Sequence, residues 1–347
     1  MKILLTGCAG FIGYHVARSL LDRGDQVVGL DSINNYYDVN LKIARLKQLG
    51  VFVDDSQISF SSSKYKNFIF NKIDISDEKA IEKIFRDFKF DGVCNLAAQA
   101  GVGYSLKNPK IYIDSNITGF LNILEGCRKF GIENLCYAST SSIYGINKKI
   151  PFSTTDNTDH PISTYAATKK SNELMAHTYS SLFKIRTTGL RFFTVYGPWG
   201  RPDMALFKFV KAALNNETIK VYNFGDMERD FTYIDDIKEC VLAAIDNPAK
   251  SNDNWEEEGC LPNSSTSPFK IYNVGNSKPI SILEFISKIE EVLQVNISKD
   301  LSSLQLGDVK KTYADISNTQ EAFGYTPKID ITQGIKNFVN WYKEFYK

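Results

Sequence analysis

The ten residues "LLTGCAGFIG" at positions 4–13 constrain the fold more than any other part of the chain. They place Gly7, Gly10 and Gly13 three residues apart, after an apolar run and before a helical pattern. A tight turn from strand to helix requires glycine, and a phosphate that approaches the backbone needs the same lack of a side chain. The N-terminus of the following helix favours negative charge. The stretch therefore predicts a dinucleotide site, although a glycine-rich turn without a ligand fits the same pattern.

Apolar, β-rich runs alternate with helical patterns over the first two-thirds of the 347 residues. The predicted strands are 2–6, 26–30, 68–73, 92–97, 134–139 and 187–192. Such alternation is typical of βαβ units with a parallel sheet covered on both faces. We therefore expect an α/β fold, a Rossmann-type doubly wound parallel sheet, with a smaller C-terminal α/β lobe for the substrate.

Later segments divide the chain unevenly. We expect a dinucleotide-binding domain over 1–190, with contributions from around 230–245 and 271–275, and a mainly substrate-binding lobe over 191–347. Helical patterns at 281–294 and 331–345 belong to that lobe. The polar stretch 51–67 reads as a surface excursion, and 249–268 as either a mobile loop over a site or a tolerated insertion.

Charge and composition exclude several classes of protein. The formal net charge is +1 with no basic block, so we expect no nucleic-acid partner. The apolar run after Met1 is too short for a signal peptide or a membrane span, which favours a cytoplasmic protein without a membrane partner. The six cysteines form no CxxC pair and the three histidines have no ligand-like spacing, so no metal site is expected.

Two aspartates indicate the kind of dinucleotide. The second predicted strand is followed by Asp31, eighteen residues past Gly13, where a carboxylate accepts from both ribose hydroxyls. The following "DSINNYYD" lacks the arginine that a 2′-phosphate requires, which favours NAD over NADP. Asp74, after the third strand, is placed to meet the adenine amino group, but it would serve equally as a helix cap. Together these signals predict NAD.

The pair Tyr165 and Lys169 in "YAATK" shares one face of a predicted helix. Removing a proton from a sugar hydroxyl requires a base with a pKa near 7, whereas the pKa of tyrosine is ordinarily about 10. Lowering the pKa of tyrosine by about three units requires ~4 kcal/mol of preferential stabilisation of the phenolate. A cation about 5 Å away supplies ~3 kcal/mol at an effective dielectric of ~20. The positive nicotinamide ring would supply the remainder, so the pattern predicts a tyrosine base without any histidine.

These motifs resemble those of the extended short-chain dehydrogenases/reductases, in the NAD-dependent epimerase/dehydratase family. The resemblance is carried by GxxGxxG, Asp31, "NLAAQAG" (95–101), Asn116, "ASTSS" and the YxxxK pair. Within that family the chain is most similar to bacterial UDP-glucuronate 4-epimerases, including those of capsule biosynthesis. The stretches that carry this finer resemblance are 36–42, 160–180, 187–209 and 229–237.

The resemblance implies a role for each matched residue. Tyr165 would be the base at the sugar 4-hydroxyl, Lys169 would hold the nicotinamide ribose, and Thr140 would bond the 4-oxygen. Hydride would leave C4 for NAD, and the resulting ketone would turn over and take it back on its other face. The implied cofactor-binding residues are Gly7, Gly10, Phe11, Ile12, Gly13, Asp31, Ser32, Asn34, Asp74, Ile75, Leu96, Ala97, Ala98, Gln99, Asn116, Ser139, Tyr165, Lys169 and Phe193.

The residues after Thr140 discriminate between reactions of the family. Sugar-nucleotide 4,6-dehydratases carry Asp-Glu where this chain has Ser141 and Ser142, and UDP-glucuronate decarboxylases carry Glu at the second place. Elimination of water requires a carboxyl acid or base, which two serines do not supply. The serines retain the ability to donate hydrogen bonds to a sugar.

Other matched residues concern the rest of the substrate. Thr194 and Arg201 match positions that contact a uronate carboxylate, for which arginine offers a bidentate fork. A contact between Arg201 and a phosphate, or the surface, is the open alternative. Arg229 matches the arginine that grips the diphosphate, and Tyr222 and Gln305 match the uridine pocket. These residues, with Thr140 and the serine pair, form the implied UDP-sugar site.

The leading hypothesis is NAD-dependent 4-epimerisation of UDP-glucuronate to UDP-galacturonate through a 4-keto intermediate. The alternatives are a 4-epimerase of UDP-hexoses or UDP-N-acetylhexosamines, and a non-catalytic NAD-binding scaffold. The resemblance also implies a homodimer, paired through helices over 108–130 and 163–183. The chain departs from the family at Gly103, where relatives carry arginine, and in the length of 51–67.

Overall fold

The computed structural model describes residues 1–54 and 56–346. The strands are β1 (Lys2–Thr6), β2 (Gln26–Asp31), β3 (Ser59–Ser61), β4 (Phe68–Lys72), β5 (Gly92–Asn95), β6 (Asn134–Thr140), β7 (Arg186–Phe192), β8 (Thr194–Tyr196), β9 (Ile219–Val221), β10 (Glu228–Arg229), β11 (Phe231–Tyr233), β12 (Phe269–Val274), β13 (Ile280–Ser281) and β14 (Lys299–Leu301). The helices are α1 (Phe11–Asp22), α2 (Val39–Gln48), α3 (Glu78–Asp87), α4 (Val102–Lys107), α5 (Pro109–Tyr112), α6 (Gly119–Phe130), α7 (Thr164–Phe183), α8 (Ala205–Leu214), α9 (Ile234–Asp246), α10 (Ile282–Leu293), α11 (Ser317–Phe323) and α12 (Ile331–Tyr346).

The central sheet has eight strands in the order β12-β7-β6-β5-β1-β2-β4-β3. Every neighbouring pair is parallel except β3 with β4. The strand order reverses its direction beside β1, where β5 lies on one side and β2 on the other. This arrangement confirms the predicted Rossmann-type doubly wound sheet, and it opens a crevice at the carboxyl ends of the strands.

Helices cover both faces of the sheet because successive side chains of a strand point to opposite sides. Ile3 and Leu5 of β1 pack into an apolar cluster with α1 and α9. Leu4, between them, packs into a second cluster with α3 and α6. All three side chains are fully buried, and each contributes roughly 1.5–3 kcal/mol of transfer free energy. The near-continuous apolar pattern of these strands is what made them predictable.

The two edges of the sheet come from a stretch that was expected only as a surface excursion and from a late segment of the chain. Part of the stretch 51–67 forms the edge strand β3, because the buried Phe60 packs its ring 6.1 Å from that of Phe70. Position 55 of that stretch lies outside the described residues. At the other edge, β12 pairs with β7, so a late segment completes the sheet. The first cluster also includes residues of α8, α10 and α12, and the division into two domains stays a prediction.

The predicted helix over 108–130 is present from Pro109 to Phe130, but it is not α-helical throughout. A π-helical stretch, Ile113–Thr118, separates α5 from α6. Within it, the buried Asn116 accepts a hydrogen bond from the backbone N–H of Gln99 (2.8 Å) and donates to the carbonyl of Gln99 (3.0 Å). Its amide also donates to Thr168 of α7 (3.0 Å). The wider turn lets Asn116 reach the loop after β5, and such bulges often occur at functional sites.

Within residues 1–54 and 56–346, no helix has the length and apolar character needed to cross a membrane.

Candidate active site

The glycine-rich turn between β1 and α1 has no room for side chains. Gly7 has φ +72°, and a Cβ there would lie 2.8 Å from the backbone nitrogen of Ala97. A Cβ on Gly13 would collide with the carbonyl of Gly7. The backbone N–H of Gly10 donates to Gly7 (2.9 Å), which closes the turn. The turn therefore leaves bare backbone at the N-terminus of α1, the arrangement that a pyrophosphate requires.

A cavity of about 410 Å³ runs along the carboxyl ends of the strands, starting at this turn. It gathers most of the residues that the sequence predicted to bind cofactor or sugar. Those that line it are Gly7, Gly10, Phe11, Ile12, Gly13, Asp31, Ser32, Asn34, Asp74, Ile75, Leu96, Ala97, Ala98, Gln99, Ser139, Thr140, Ser141, Ser142, Tyr165, Lys169, Phe193, Thr194 and Arg201. An elongated cleft with a glycine turn at one end and hydroxyls at the other fits a dinucleotide beside a second ligand.

Asp31 and Asp74 lie at one end of the cavity, after β2 and β4. Asp31 accepts from the backbone N–H groups of Ala9 (3.1 Å) and Ile33 (2.8 Å), which fixes its carboxylate. Asp74 accepts from the backbone of Ser76 (2.9 Å) and is not the cap of α3, because the side chain of Asp77 accepts from Ala80 there. Both residues line the cavity, where an adenosine site would need them.

Helix α7 carries the predicted reaction centre. Ser163 caps its N-terminus by accepting from Ala166 (3.1 Å). Burial lowers the pKa of Lys169 to about 8, although the charge of Glu173 one turn later opposes this. Burial raises the pKa of the Tyr165 phenol, while a hydrogen bond with Thr140 and the charge of Arg201 act in the opposite direction. The expectation that Lys169 and NAD together lower the pKa of Tyr165 stays a prediction.

Glu173 belongs to a buried network that sequence reasoning missed. Its carboxylate receives both Nε and Nη2 of Arg191 (2.9 Å each) and the hydroxyl of Ser139 (2.7 Å). Although burial alone would raise it, this pairing lowers the pKa of Glu173. The network ties α7 to β6 and β7, and so fixes Lys169 relative to the sheet. The i, i+4 spacing from Lys169 was the signal available in the sequence.

The hydroxyls after β6 form a compact group. Thr140 accepts from the backbone N–H of Ser142 (3.2 Å) and its hydroxyl donates to that of Ser142 (3.2 Å). A 3₁₀ turn, Ser141–Tyr144, begins there and points both serines at the cavity. The carboxylates that line the cavity, Asp31 and Asp74, belong to its other end. The chemistry at the Thr140 end is therefore hydrogen bonding rather than carboxylic acid–base catalysis.

Arg201 lines the same cavity and is held from behind. Its Nε and Nη2 donate to the two oxygens of Asp203 (2.9 and 2.5 Å), which also receives the hydroxyl of Tyr36 (3.1 Å). Burial opposes the charge, but Asp203 raises the pKa of Arg201. Arginine carries five N–H donors, and Asp203 takes two of them. The remaining donors are available to an acceptor in the cavity.

Four predicted residues lie outside this lining. Asn116 acts through Gln99, as described above. Arg229 pairs with Asp308 (2.7 Å) and with the carbonyl of Lys310 (3.2 Å). Tyr222 lies beside Lys220 in the same part of the lobe. The amide nitrogen of Gln305 lies 2.7 Å from the place of a Cβ on Gly103, so it occupies the space that a side chain at that position would need.

Lys42 lines the cavity but was absent from the predicted set. Its ammonium donates to the carbonyl (2.8 Å) and the side-chain oxygen (2.7 Å) of Asn34. Burial lowers its pKa, and the nearby Asp31 opposes that effect. The sequence signal was present in "YYDVNLK", which was recognised only as a family resemblance.

Comparison with known proteins agrees with this geometry. Residues 3–275 match the profile of the NAD dependent epimerase/dehydratase family. Protein CapI of Staphylococcus aureus is 52% identical over the full length of both chains. UDP-glucuronate 4-epimerase 2 of Arabidopsis thaliana is 42% identical, covering 100% of this chain and 77% of that protein. The structure of UDP-glucuronic acid 4-epimerase from Bacillus cereus, in complex with UDP-glucuronic acid and NAD, superposes with a TM-score of 0.85 at 31% identity over both whole chains. The chain therefore belongs to the NAD dependent epimerase/dehydratase family, as an enzyme whose cofactor is NAD.

Proposed function

We propose that the chain catalyses the 4-epimerisation of UDP-glucuronate to UDP-galacturonate. The coarser part, a UDP-sugar 4-epimerase that uses NAD, is supported by relatives and structures of that activity over the full chain. The finer part, the uronate, is supported by one observation. Arg201 lies in the same cavity as Thr140 and Tyr165, close enough for its charge to act on the phenol.

The cavity fits the cofactor on structural grounds. Any Cβ on Gly7 or Gly13 would clash with neighbouring backbone, so the turn presents bare backbone to the cavity, and Asp31 is oriented at the end of β2. The residues that would hold NAD are those that line this end, with Lys169 at the nicotinamide side. When bound, NAD supplies an acceptor for the C4 hydride and returns that hydride to the sugar.

Tyr165 is the base of the proposed reaction. It removes the proton of the 4-hydroxyl when the hydride leaves, and returns it when the hydride comes back. The hydroxyl of Thr140 stabilises the phenolate and bonds the same sugar oxygen. Lys169, one helical turn after Tyr165 on α7 and opposed by the charge of Glu173, adds a buried positive charge to the same cavity. Tyr165, Thr140 and Lys169 together support reversible oxidation at C4 and no further reaction of the ketone.

Ser141 and Ser142 argue against the other reactions of the family. Elimination of water across C5 and C6 requires a carboxyl acid or base, and this end of the cavity offers hydroxyls instead. The decarboxylases of the family carry Glu where this chain has Ser142. These hydroxyls donate hydrogen bonds to a carboxylate. They leave the C5 proton in place, so the 4-keto sugar is returned as an epimer.

Arg201 distinguishes a uronate from a neutral sugar. A hexose presents a hydroxymethyl group where a uronate presents a carboxylate, and only the carboxylate makes a charge-assisted pair with arginine. Asp203, which also receives the hydroxyl of Tyr36, holds one edge of the guanidinium, so the other edge is already oriented before binding. Thr194 lines the same cavity and completes the predicted site for the sugar carboxylate.

The test compares two substrates on the purified protein. UDP-glucuronate and UDP-glucose are supplied separately, and the formation of each 4-epimer is followed by proton NMR. The proposal expects a higher kcat/KM for UDP-glucuronate. Preference for UDP-glucose, or for UDP-N-acetylglucosamine in a third arm, would replace it by the hexose alternative.

A homodimer is part of the proposal. Helices α4 to α6 and α7 carry exposed apolar side chains, which are Leu106, Ile113, Leu121, Leu174, Leu182 and Phe183. Five of these six residues lie on the segments 108–130 and 163–183 that the sequence predicted to pair, and exposed apolar side chains that gather into a patch mark protein–protein interfaces. Light scattering of wild type and Leu174→Glu tests this, because the charge should yield monomers. A monomeric wild type would remove the dimer, and a cytoplasmic location stays a prediction.

A further inference from the structure

Helix α2 contains a buried arginine that the proposed reaction does not use. Arg45 is 0% exposed. Its Nη1 donates to the carbonyl of Ala9 (2.8 Å) and to the hydroxyl of Tyr37 (2.7 Å), and its Nη2 donates to the carbonyl of Trp199 (2.7 Å). All of these acceptors are neutral. The side chain is therefore hydrogen-bonded, but its charge is not neutralised by them.

Among the described residues, no carboxylate forms an ion pair with Arg45. Its Nε, also buried, has no hydrogen-bond partner there. An arginine remains charged in proteins, and burying a charge without an opposite charge costs several kcal/mol. Lys42, one turn earlier, is a second buried cation, and it too bonds neutral oxygens. Both buried cations therefore bond neutral oxygens, and Asp31 is the carboxylate whose charge acts on Lys42.

The position of Arg45 identifies the anion that would offset its charge. Its partner Ala9 lies inside the glycine turn, between Gly7 and Gly10. The peptide groups of Ala9 are held on both sides, since Asp31 accepts from its N–H and Arg45 donates to its carbonyl. The pyrophosphate of a dinucleotide is the group that a bare turn of this kind binds.

We propose that Arg45 is a cofactor-positioning residue whose buried charge complements the pyrophosphate of NAD across the glycine turn. The charge acts through the turn, because Arg45 does not line the cavity. It also explains why the arginine is kept without a carboxylate partner. The cofactor itself provides the missing negative charge when the holoenzyme assembles. Retention of NAD, rather than sugar specificity, is the property that depends on it.

A purely structural role is the competing explanation. Arg45 also holds the carbonyl of Trp199, which has φ +62°, and so braces the turn that precedes Arg201. A purely structural role requires that residue 45 reach the two carbonyls with hydrogen-bond donors. A role in balancing the pyrophosphate requires that residue 45 carry a positive charge. Lysine keeps the charge and loses the planar fork, and glutamine keeps amide hydrogen bonds and loses the charge. The two substitutions therefore separate the explanations.

The experiment measures release of NAD from the purified holoenzyme, with the freed cofactor trapped by a separate dehydrogenase. We expect Arg45→Gln to release NAD at least about tenfold faster than wild type, equivalent to ~1.4 kcal/mol. Arg45→Lys should stay within about threefold, equivalent to ~0.7 kcal/mol. Lys47→Gln, an exposed cation of the same helix, is the matched control and should not change the rate.

A second readout uses competitors that displace NAD from the holoenzyme. In Arg45→Gln, adenosine, which lacks phosphate, should displace NAD at about tenfold lower concentration than in wild type. ADP-ribose, which shares the pyrophosphate, should show little change. Equal acceleration of NAD release in the lysine and glutamine variants, or a larger effect of lysine, would overturn the proposal. If Arg45→Gln does not fold, a tenfold faster release from Arg45→Lys alone would overturn it.

Discussion

The reaction centre on α7 and the Arg201 group occupy the same cavity but are built differently. Lys169 is 2% exposed, and its neighbour Glu173 is hydrogen-bonded to Arg191 of β7 and Ser139 of β6 in the main sheet. Arg201 and Asp203 are about a quarter exposed, with side-chain values of 21% and 26%, and they lie in the loop between β8 and α8. In the proposed function, the buried group on α7, here called the rigid part, carries out the reaction at C4, and the more exposed Arg201 group, here called the looser part, selects the sugar.

The largest expected effect tests the rigid part. Tyr165→Phe removes the proton acceptor, so kcat should fall by about a thousandfold or more for every UDP-sugar that the enzyme accepts. Turnover is measured by NMR, with bound NAD measured in the same preparation. Tyr104→Phe is the control, because the Tyr104 ring lies 4.9 Å from that of Tyr36, which lines the cavity, and its hydroxyl has no role in the proposed reaction. Turnover retained in Tyr165→Phe would remove the phenol from the mechanism.

The next effect tests the looser part. Arg201→Ala should lower kcat/KM for UDP-glucuronate by about a hundredfold, because it removes a charge-assisted pair with the carboxylate. For UDP-glucose the change should be much smaller. Arg201→Lys, which keeps the charge, should give an intermediate loss. Equal losses for both sugars would show that Arg201 contacts a group that they share, such as the phosphate.

A pH profile of kcat/KM tests whether Thr140 controls the ionisation of Tyr165. The hydrogen bond of Thr140 lowers the pKa of Tyr165, so Thr140→Val should raise it. Less phenolate is then present at neutral pH, and the acidic limb of kcat/KM should move to higher pH. Thr140→Ser keeps the hydroxyl and should leave the limb in place. If the acidic limb does not shift in Thr140→Val, then Thr140 does not influence the ionisation of Tyr165.

The smallest effect concerns the support behind Arg201. Tyr36→Phe removes one hydrogen bond to Asp203 without changing charge, so kcat/KM for UDP-glucuronate should fall by about fivefold. Turnover of UDP-glucose should hardly change. The measurement is the ratio of kcat/KM for the two sugars. A proportionate loss for both would indicate general disturbance of the cavity.

The sequence predicted best what short segments determine on their own. Each of the six predicted strands is present within two residues of its expected ends, because a buried parallel strand requires a continuous apolar run. The glycine turn and Asp31 were equally predictable, because backbone geometry imposes them at fixed spacing. The strand β3 was missed, since only Phe60 of its three residues is buried.

The features that the sequence did not predict depend on contacts between segments that are distant in the chain. The ion pair of Arg201 with Asp203 is local, but Tyr36 reaches it from 167 residues away. Arg229 and Gln305 were matched by resemblance, and their positions beside Asp308 and Gly103 depend on how the segment after β14 crosses the lobe. Interruption of the predicted helix at Asn116 follows from a bond to Gln99, which no helical periodicity reveals.

The most direct measurement follows the hydrogen at C4. UDP-glucuronate that carries deuterium at C4 is converted by the purified enzyme in ordinary water, and the product is examined by NMR. The account predicts UDP-galacturonate that keeps its deuterium at C4, because the hydride leaves and returns within one cavity. Product that has lost the deuterium to water, or no conversion of the uronate at all, would contradict it.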